Sequence, residues 1–310
     1  MREVTPMITD SIPSAGGGSL RCFLWEPRGK PVGFVQLVHG IAEHSGRYAP
    51  FAEFLAEADF AVCSEDHMGH GASLGEDCPR GCVRGGWDAM AADVNTLTEN
   101  MKKKYPGLPA FLLGHSMGSF LARSSLYTWP GAGWRAVILS GTAWQPSPVL
   151  AAGKALAGGE IRKQGADAPS PRLQALMFGS YTKQFENVRT PSDWICSDPA
   201  VVDAYQADPL CGFVPSGGLI AAMLEGLHRN QRRENLAKMP KSLPVLFIAG
   251  DRDPVGTNGK GVLKSADAFR KAGLGRVDVT LYPGDRHEVL NEVNKARVWA
   301  DVLAWLRKQL

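Results

Sequence analysis

Residues 114–118, Gly114-His115-Ser116-Met117-Gly118, offer a nucleophile. They follow a short apolar run over 110–114 and precede a helix-compatible stretch over 118–127. A serine at the apex of a sharp strand-to-helix turn exposes its hydroxyl. Glycines two positions to either side remove the collisions that larger side chains would make where the backbone reverses. A helix start also turns free backbone N–H groups toward developing negative charge, which makes the Met117 N–H a natural donor to an oxyanion. The chemistry on offer is acyl transfer through Ser116.

A serine hydroxyl needs a base to take its proton, and the base needs a carboxylate to orient it. For a nucleophile on this kind of turn, the acid and then the base follow in chain order. Of the seven histidines, His287 fits: it follows the apolar run 277–282 after a short loop, Pro283-Gly284-Asp285-Arg286, and precedes the terminal helix. His39, His44, His67 and His70 come too early, and His115 belongs to the turn. Gly250-Asp251-Arg252-Asp253-Pro254-Val255 supplies two acids directly after another apolar run. Asp253 lies deeper in the loop and precedes a proline that biases its backbone toward extended or turn conformations. Asp253 is the assigned orienting acid and Asp251 a turn former, an order that sequence alone leaves reversible.

These groups need a scaffold. Short apolar runs at 20–26, 33–38, 60–63, 110–114, 136–139, 245–249 and 277–282 read as strands. Helical periodicity marks 48–58, 88–104, 118–127, 260–271 and the terminal stretch, where Trp299, Val302, Leu303 and Leu306 share a face. Continuously apolar short strands suit a mostly parallel sheet covered by helices on both faces, so the fold class is α/β. Residues 143–235 break the rhythm with Pro/Gly punctuation and short helices. The expected organisation is a core of 1–142 and 236–310 with a cap inserted at 143–235. Within the cap, Leu219, Ile220, Met223, Leu224 and Leu227 form an apolar helix face over 218–228, which either packs inside the cap or lines an acyl-binding surface.

Composition narrows the function classes. With 310 residues, 44% hydrophobic, 21% charged and a formal charge of +3, the chain has ordinary globular character. The basic residues are scattered, so no nucleic-acid footprint is expected. No phosphate-binding glycine signature opens the first crossover helix. No apolar run serves as a secretory or membrane-spanning segment, and a cytoplasmic location is expected, with transient lipid-surface contact left open. The six cysteines read mainly as buried thiols; Cys78 and Cys82 lack zinc-site spacing. Asp66-His67-Met68-Gly69-His70-Gly71 suits a tight loop better than a metal site, and no metal is expected.

The landmarks Ser116, Asp253 and His287, with the strings 39–48 (His39-Gly40-Ile41-Ala42-Glu43-His44-Ser45-Gly46-Arg47-Tyr48), 66–71 and 114–118, give the chain a family likeness. From about residue 30 onward it resembles the monoacylglycerol lipase and lysophospholipase-like branch of the α/β-hydrolases, grouped with the serine aminopeptidase S33 sequences. Asp193 to Asp198, Asp203-Ala204-Tyr205 and Asp208-Pro209-Leu210 look like the caps of bacterial members. The resemblance implies an α/β-hydrolase core with a mainly helical cap, a Ser116–His287–Asp253 triad, and an oxyanion hole from the Ile41 and Met117 N–H groups. It implies no cofactor, and hydrolysis of monoacylglycerol-like or other small or medium acyl esters. Lysophospholipase, amidase or peptidase activity, and a catalytically silent apolar-ligand-binding protein, are the alternatives. A serine at 116 argues against dehalogenases and epoxide hydrolases of this fold, which use aspartate there. Glu43, His44, Arg47 and Tyr48 either arrange the oxyanion loop or are ordinary surface residues at a helix start.

Overall fold

Four central strands are buried at every position, and such strands fold only where helices dry both faces. The computed structural model describes residues 7–75 and 78–310. Its strands are β1 (Ile8–Pro13), β2 (Ser19–Trp25), β3 (Gly33–Val38), β4 (Phe60–Glu65), β5 (Ala110–His115), β6 (Trp134–Ser140), β7 (Val245–Gly250) and β8 (Val277–Tyr282). They lie in the order β1-β2-β4-β3-β5-β6-β7-β8. The pairs β1–β2 and β2–β4 are antiparallel; every pairing from β4 through β3 to β8 is parallel. Seven of the strands start where the apolar pattern puts them or within two residues. The N-terminal strand Ile8–Pro13 was not expected. It is a short edge strand with alternating polar residues and a closing proline, which carries little of the apolar signal that marks central strands.

The helices are α1 (Ala49–Glu57), α2 (Gly86–Lys104), α3 (Met117–Thr128), α4 (Ser147–Gln164), α5 (Pro171–Phe178), α6 (Pro199–Ala207), α7 (Gly217–Asn230), α8 (Arg233–Lys238), α9 (Lys260–Lys271) and α10 (Lys295–Arg307). On one face of the sheet Phe51 and Leu55 of α1 and Val298, Val302 and Leu306 of α10 cover Val35, Leu37, Val62, Leu113, Ile138 and Ile248. On the other, Val94 of α2, Phe120 and Leu121 of α3 and Phe269 of α9 cover Leu112, Val137, Leu139 and Phe247. Helices α4 to α8 all fall between β6 and β7 and form the cap. Among the described residues no helix is long and apolar enough to cross a membrane, and all six cysteines are free and buried.

Helix α7 seats the cap on the core. Ser216 caps its start, accepting the Leu219 N–H at 3.1 Å while its hydroxyl donates to the Gly81 carbonyl at 2.6 Å. The apolar residues of α7 divide into two stripes rather than one face. Leu219, Met223 and Leu227 join the core cluster with Met117 and Trp87, whereas Ile220 packs with Ala157 and Leu173 inside the cap, and Leu224 touches both groups. Positions four apart lie in line on a helix, and each stripe meets a different partner. Glu225 points elsewhere, pairing with Lys154 and Arg229 at 2.9 and 2.8 Å.

The closest approach on α7 is at Gly226, where a Cβ would stand 2.0 Å from the Trp87 ring. That ring is buried and anchored by a 2.9 Å hydrogen bond from its Nε1 to the Ser124 hydroxyl, so it cannot swing aside freely. Gly226→Ala should therefore destabilise the protein by about 1–3 kcal/mol, the usual range for overpacking. Urea unfolding checks this; an unchanged midpoint would mean that α7 shifts without cost.

Candidate active site

The turn between β5 and α3 is as tight as its glycines imply. A Cβ at Gly118 would lie 2.0 Å from the Val38 carbonyl oxygen, and one at Gly114 would lie 2.4 Å from that of Gly118. Neither obstacle is a side chain that could move. Ser116 itself takes φ 52° and ψ −121°, a conformation that a non-glycine residue adopts only under local constraint. Its N–H bonds the Ser140 carbonyl at 2.9 Å, and its carbonyl accepts from the Ser119 hydroxyl at 2.6 Å, which hold the strained residue between β6 and α3. Ser116 is half-buried, and Met117 opens the helix at its back.

Asp253 and His287 come from the loops after β7 and β8, and the structure brings them together. Asp253 Oδ2 lies 3.0 Å from His287 Nδ1, while Oδ1 accepts the Val255 N–H at 2.9 Å. Asp253 is fully buried and His287 nearly so. Asp251 instead accepts the Gly284 N–H at 2.8 Å and closes the turn that carries the histidine loop. Burial lowers the His287 imidazole, but the charge and hydrogen bond of Asp253, joined by Glu288 and Glu43, outweigh it, and the ring sits above its ordinary value. The His115 ring lies 4.6 Å from that of His287; burial and the neighbouring imidazole push it down to about 4, so it stays neutral. His115 precedes Ser116 in the chain, and a Cβ at Gly141 would stand 2.9 Å from His287 and 3.2 Å from His115. His287 and the Ser116 turn thus share one cleft at the C-terminal ends of β5, β6, β7 and β8.

The loop 39–48 wraps around a buried carboxylate. Glu43 accepts the Gly40 N–H at 2.6 Å, the Tyr48 hydroxyl at 2.8 Å and Arg47 Nη1 at 2.8 Å. Arg47 reaches across to Glu288, beside the base, with bonds of 2.6 and 2.7 Å. Burial would raise the Glu288 carboxyl, but Arg47 holds it well below the ordinary carboxylate range. Gly40 has Ser116 3.1 Å from its would-be Cβ, so this loop lies against the nucleophile. Of the two readings of residues 43–48, arrangement of the loop is the one the geometry supports. The loop 66–71 clamps it from behind: Asp66 accepts the Ser45 and Ala72 N–H groups at 2.7 Å each, and the His67 N–H donates to His39 Nε2 at 3.0 Å. From the cap, Tyr205 and Gly212 donate to the Ala42 carbonyl at 3.1 and 2.9 Å.

One group of side chains has the spacing of metal ligands. Atoms of His44, Asp208 and Cys211 lie within 4.8 Å of one another. His44 Nδ1 accepts the Gly46 N–H at 3.2 Å, which leaves the proton on Nε2, 2.8 Å from Asp208. A metal-bound histidine normally has the opposite arrangement, with its second nitrogen donating. The group is therefore a hydrogen-bonded fastening between the loop 39–48 and the cap.

Chain order Ser116, Asp253, His287 on a mostly parallel sheet with an inserted cap defines the α/β-hydrolase class. Within it, the chain belongs to the "Serine aminopeptidase, S33" family, whose profile matches residues 29–294. It is 32% identical to a monoacylglycerol lipase of Mycolicibacterium smegmatis over 97% of each chain. A carboxyl esterase from Bacillus coagulans, solved in complex with glycerol, superposes with a TM-score of 0.91 at 32% identity, covering 98% of this chain and 99% of that one. A lipase in an open form follows at a TM-score of 0.88 and 26% identity, covering 98% and 99%. The chain is thus a serine-hydrolase-like protein related to monoacylglycerol lipases and esterases.

The balance at His287 can be measured directly. Histidine NMR should put its imidazole above the ordinary value of about 6.5, and Asp253→Asn should lower it, because burial then acts with less opposition. An unmoved titration would mean that Asp253 is not its main charged partner.

Proposed function

We propose that the protein is a carboxylic ester hydrolase of the monoacylglycerol lipase type, with Ser116 as nucleophile, His287 as base and Asp253 as orienting acid. The observation that carries this reading is the buried 3.0 Å contact between Asp253 and His287, in the cleft that also holds the strained serine turn. Ser116 Oγ attacks the ester carbonyl as His287 Nε2 takes its proton. The Ile41 and Met117 N–H groups receive the oxyanion. Collapse breaks the ester C–O bond, and His287 gives its proton to the departing alcohol. A water molecule, deprotonated by the same ring, then attacks the acyl-serine and releases the carboxylic acid. Asp253 keeps Nδ1 as the donor nitrogen, so that Nε2 is free to accept.

The names of the relatives bear on the substrate. One is a monoacylglycerol lipase and another an esterase that holds glycerol, so an acyl ester of a small alcohol is the preferred substrate. The core stripe Leu219, Met223 and Leu227 shares a cluster with Met117, beside the nucleophile, and we assign the acyl chain to that side of α7, where Leu224 also reaches. Ile220, wholly buried within the cap, supports this wall from behind.

Ser116→Ala should cut turnover of short acyl esters by a factor of at least about 10³ in a folded protein, and should abolish labelling by an active-site phosphonate. Near-normal turnover would end the assignment. Asp253→Asn should lose on the order of 10⁴ in kcat and Asp251→Asn far less; the reverse ranking would exchange their roles. Because His287 must be neutral to act and its imidazole is raised, kcat/KM should fall as pH drops through a value above the ordinary imidazole one. At Met223, replacement by tryptophan should penalise long acyl esters most, since each buried methylene is worth about 0.8 kcal/mol. Equal losses across a series of acyl lengths would place Met223 outside the acyl wall.

A further inference from the structure

The exposed face of the catalytic imidazole is covered by the cap. Trp194 lies in the cap segment between α5 and α6, and its ring centroid stands 5.1 Å from that of His287 at an angle of 41°. Phe178 stacks behind it at 6.1 Å and 3°, and Tyr181 meets it edge-on at 5.1 Å. The segment that carries Trp194 is bonded along its length to the loop that carries the base. The Glu288 N–H donates to the Ile195 carbonyl at 2.7 Å. Arg286, one residue before the histidine, donates to the carbonyls of Asp193 and Cys196, the latter at 3.1 Å. Ser197 bonds Glu292 through its N–H, at 2.9 Å, and through its hydroxyl. Trp194 is thus set relative to His287 by bonds on both sides of each residue.

From this geometry we infer that Trp194 is a positioning residue for His287: it blocks rotation of the imidazole and stands beside the positive charge the ring acquires when it takes the Ser116 proton. Asp253 fixes Nδ1 and therefore one edge of the ring, but a single hydrogen bond leaves the ring free to tilt. His115 lies against it at 4.6 Å and Trp194 at 5.1 Å, and these two contacts restrict the tilt. An aromatic face near a cation also stabilises it. The cap is then part of the catalytic base and not only a roof over it.

The inference rests on the ester-hydrolase reading, and its test separates the two. In Trp194→Ala, kcat on a short acyl ester should fall about tenfold while KM changes less than about threefold, and Trp194→Phe should recover most of the loss. Circular dichroism and urea unfolding check that both variants fold. The contact has its own signature, because an imidazolium quenches a neighbouring indole. The emission lost in Trp194→Phe relative to wild type is the Trp194 component, and it should dim as pH falls through the His287 titration. That dependence should vanish in His287→Gln, although Asp253, Glu288, Glu43 and His115 also face the imidazole. A folded Trp194→Ala variant with kcat within about twofold of wild type would overturn the positioning role. A rise in KM alone would overturn it in favour of a substrate-binding wall. Emission from Trp194 that ignores His287 would overturn the contact. If the wild-type protein hydrolyses no ester, the reading under Proposed function fails by itself, and the emission titration still decides whether Trp194 senses the base.

Discussion

The backbone of α3 crosses the end of β3 so closely that position 118 can carry no side chain: a Cβ there would overlap the carbonyl oxygens of Val38 and His39, at 2.0 and 2.5 Å. Much else follows from this crossing. It sets the helix start directly behind Ser116, forces the serine into its positive-φ conformation and brings Gly40 against the serine side chain. A helix start leaves its first N–H groups without partners inside the helix, and the first of these in α3, on Met117, follows Ser116 directly. A larger residue at 118 would have to lift α3 off the sheet, and α3 also carries Phe120 and Leu121, which fill the core beneath α7. The turn and the core packing are one constraint.

Electrostatics does for the loops what close packing does for the turn. Arg47 stands between two buried carboxylates, one holding the Gly40 N–H and the other adjacent to His287. Burying such charges costs several kcal/mol each, and leaving one unpaired costs about 3–5 kcal/mol. An arrangement so costly to disrupt makes a stiff link between the loop beside Ser116 and the loop that carries His287. The surplus negative charge has a second effect: Glu43 and Glu288 add to Asp253 in favouring a protonated His287. The ring is thereby biased toward its charged form. His115 is kept neutral by its burial and by His287 itself, so it adds bulk to the cleft without a competing charge.

The parts legible in the sequence are those in which the reason is local. The serine turn, its flanking glycines, the preceding strand and the following helix fall in one continuous stretch, and so do the acid after β7 and the histidine after β8. The central strands announce themselves because both of their faces must be dry. β1 does not, since an edge strand needs apolar residues on one side at most. The two stripes of α7 read as a single face because the pattern of apolar residues does not say which neighbour each stripe meets. Arg47 and Glu43 stood among readings left open, for Glu288, the partner of Arg47, lies 241 positions away from it. Trp194 carried no signal as a site residue at all: it sits in an irregular segment, and its relation to His287 exists only after the cap has docked.

Besides the packing of α7 on the core, the cap docks through two polar strips of chain. Residues 193–197 bond the base loop, and residues 205–212 bond the turn at Ala42 and pair Asp208 with His44. One strip ends at the His287 imidazole and the other at the Ala42 carbonyl. A motion that lifted the whole cap would break both and free the His287 loop and the loop 39–48 together. A motion confined to α4 and α5 would leave both strips in place. Those two helices carry the exposed apolar residues Val149, Leu156 and Leu176, whereas the strips are held largely by buried or half-buried polar bonds, which are costly to break without replacement partners. The difference in bonding therefore separates the cap into a part that belongs mechanically to the catalytic site and a part that does not.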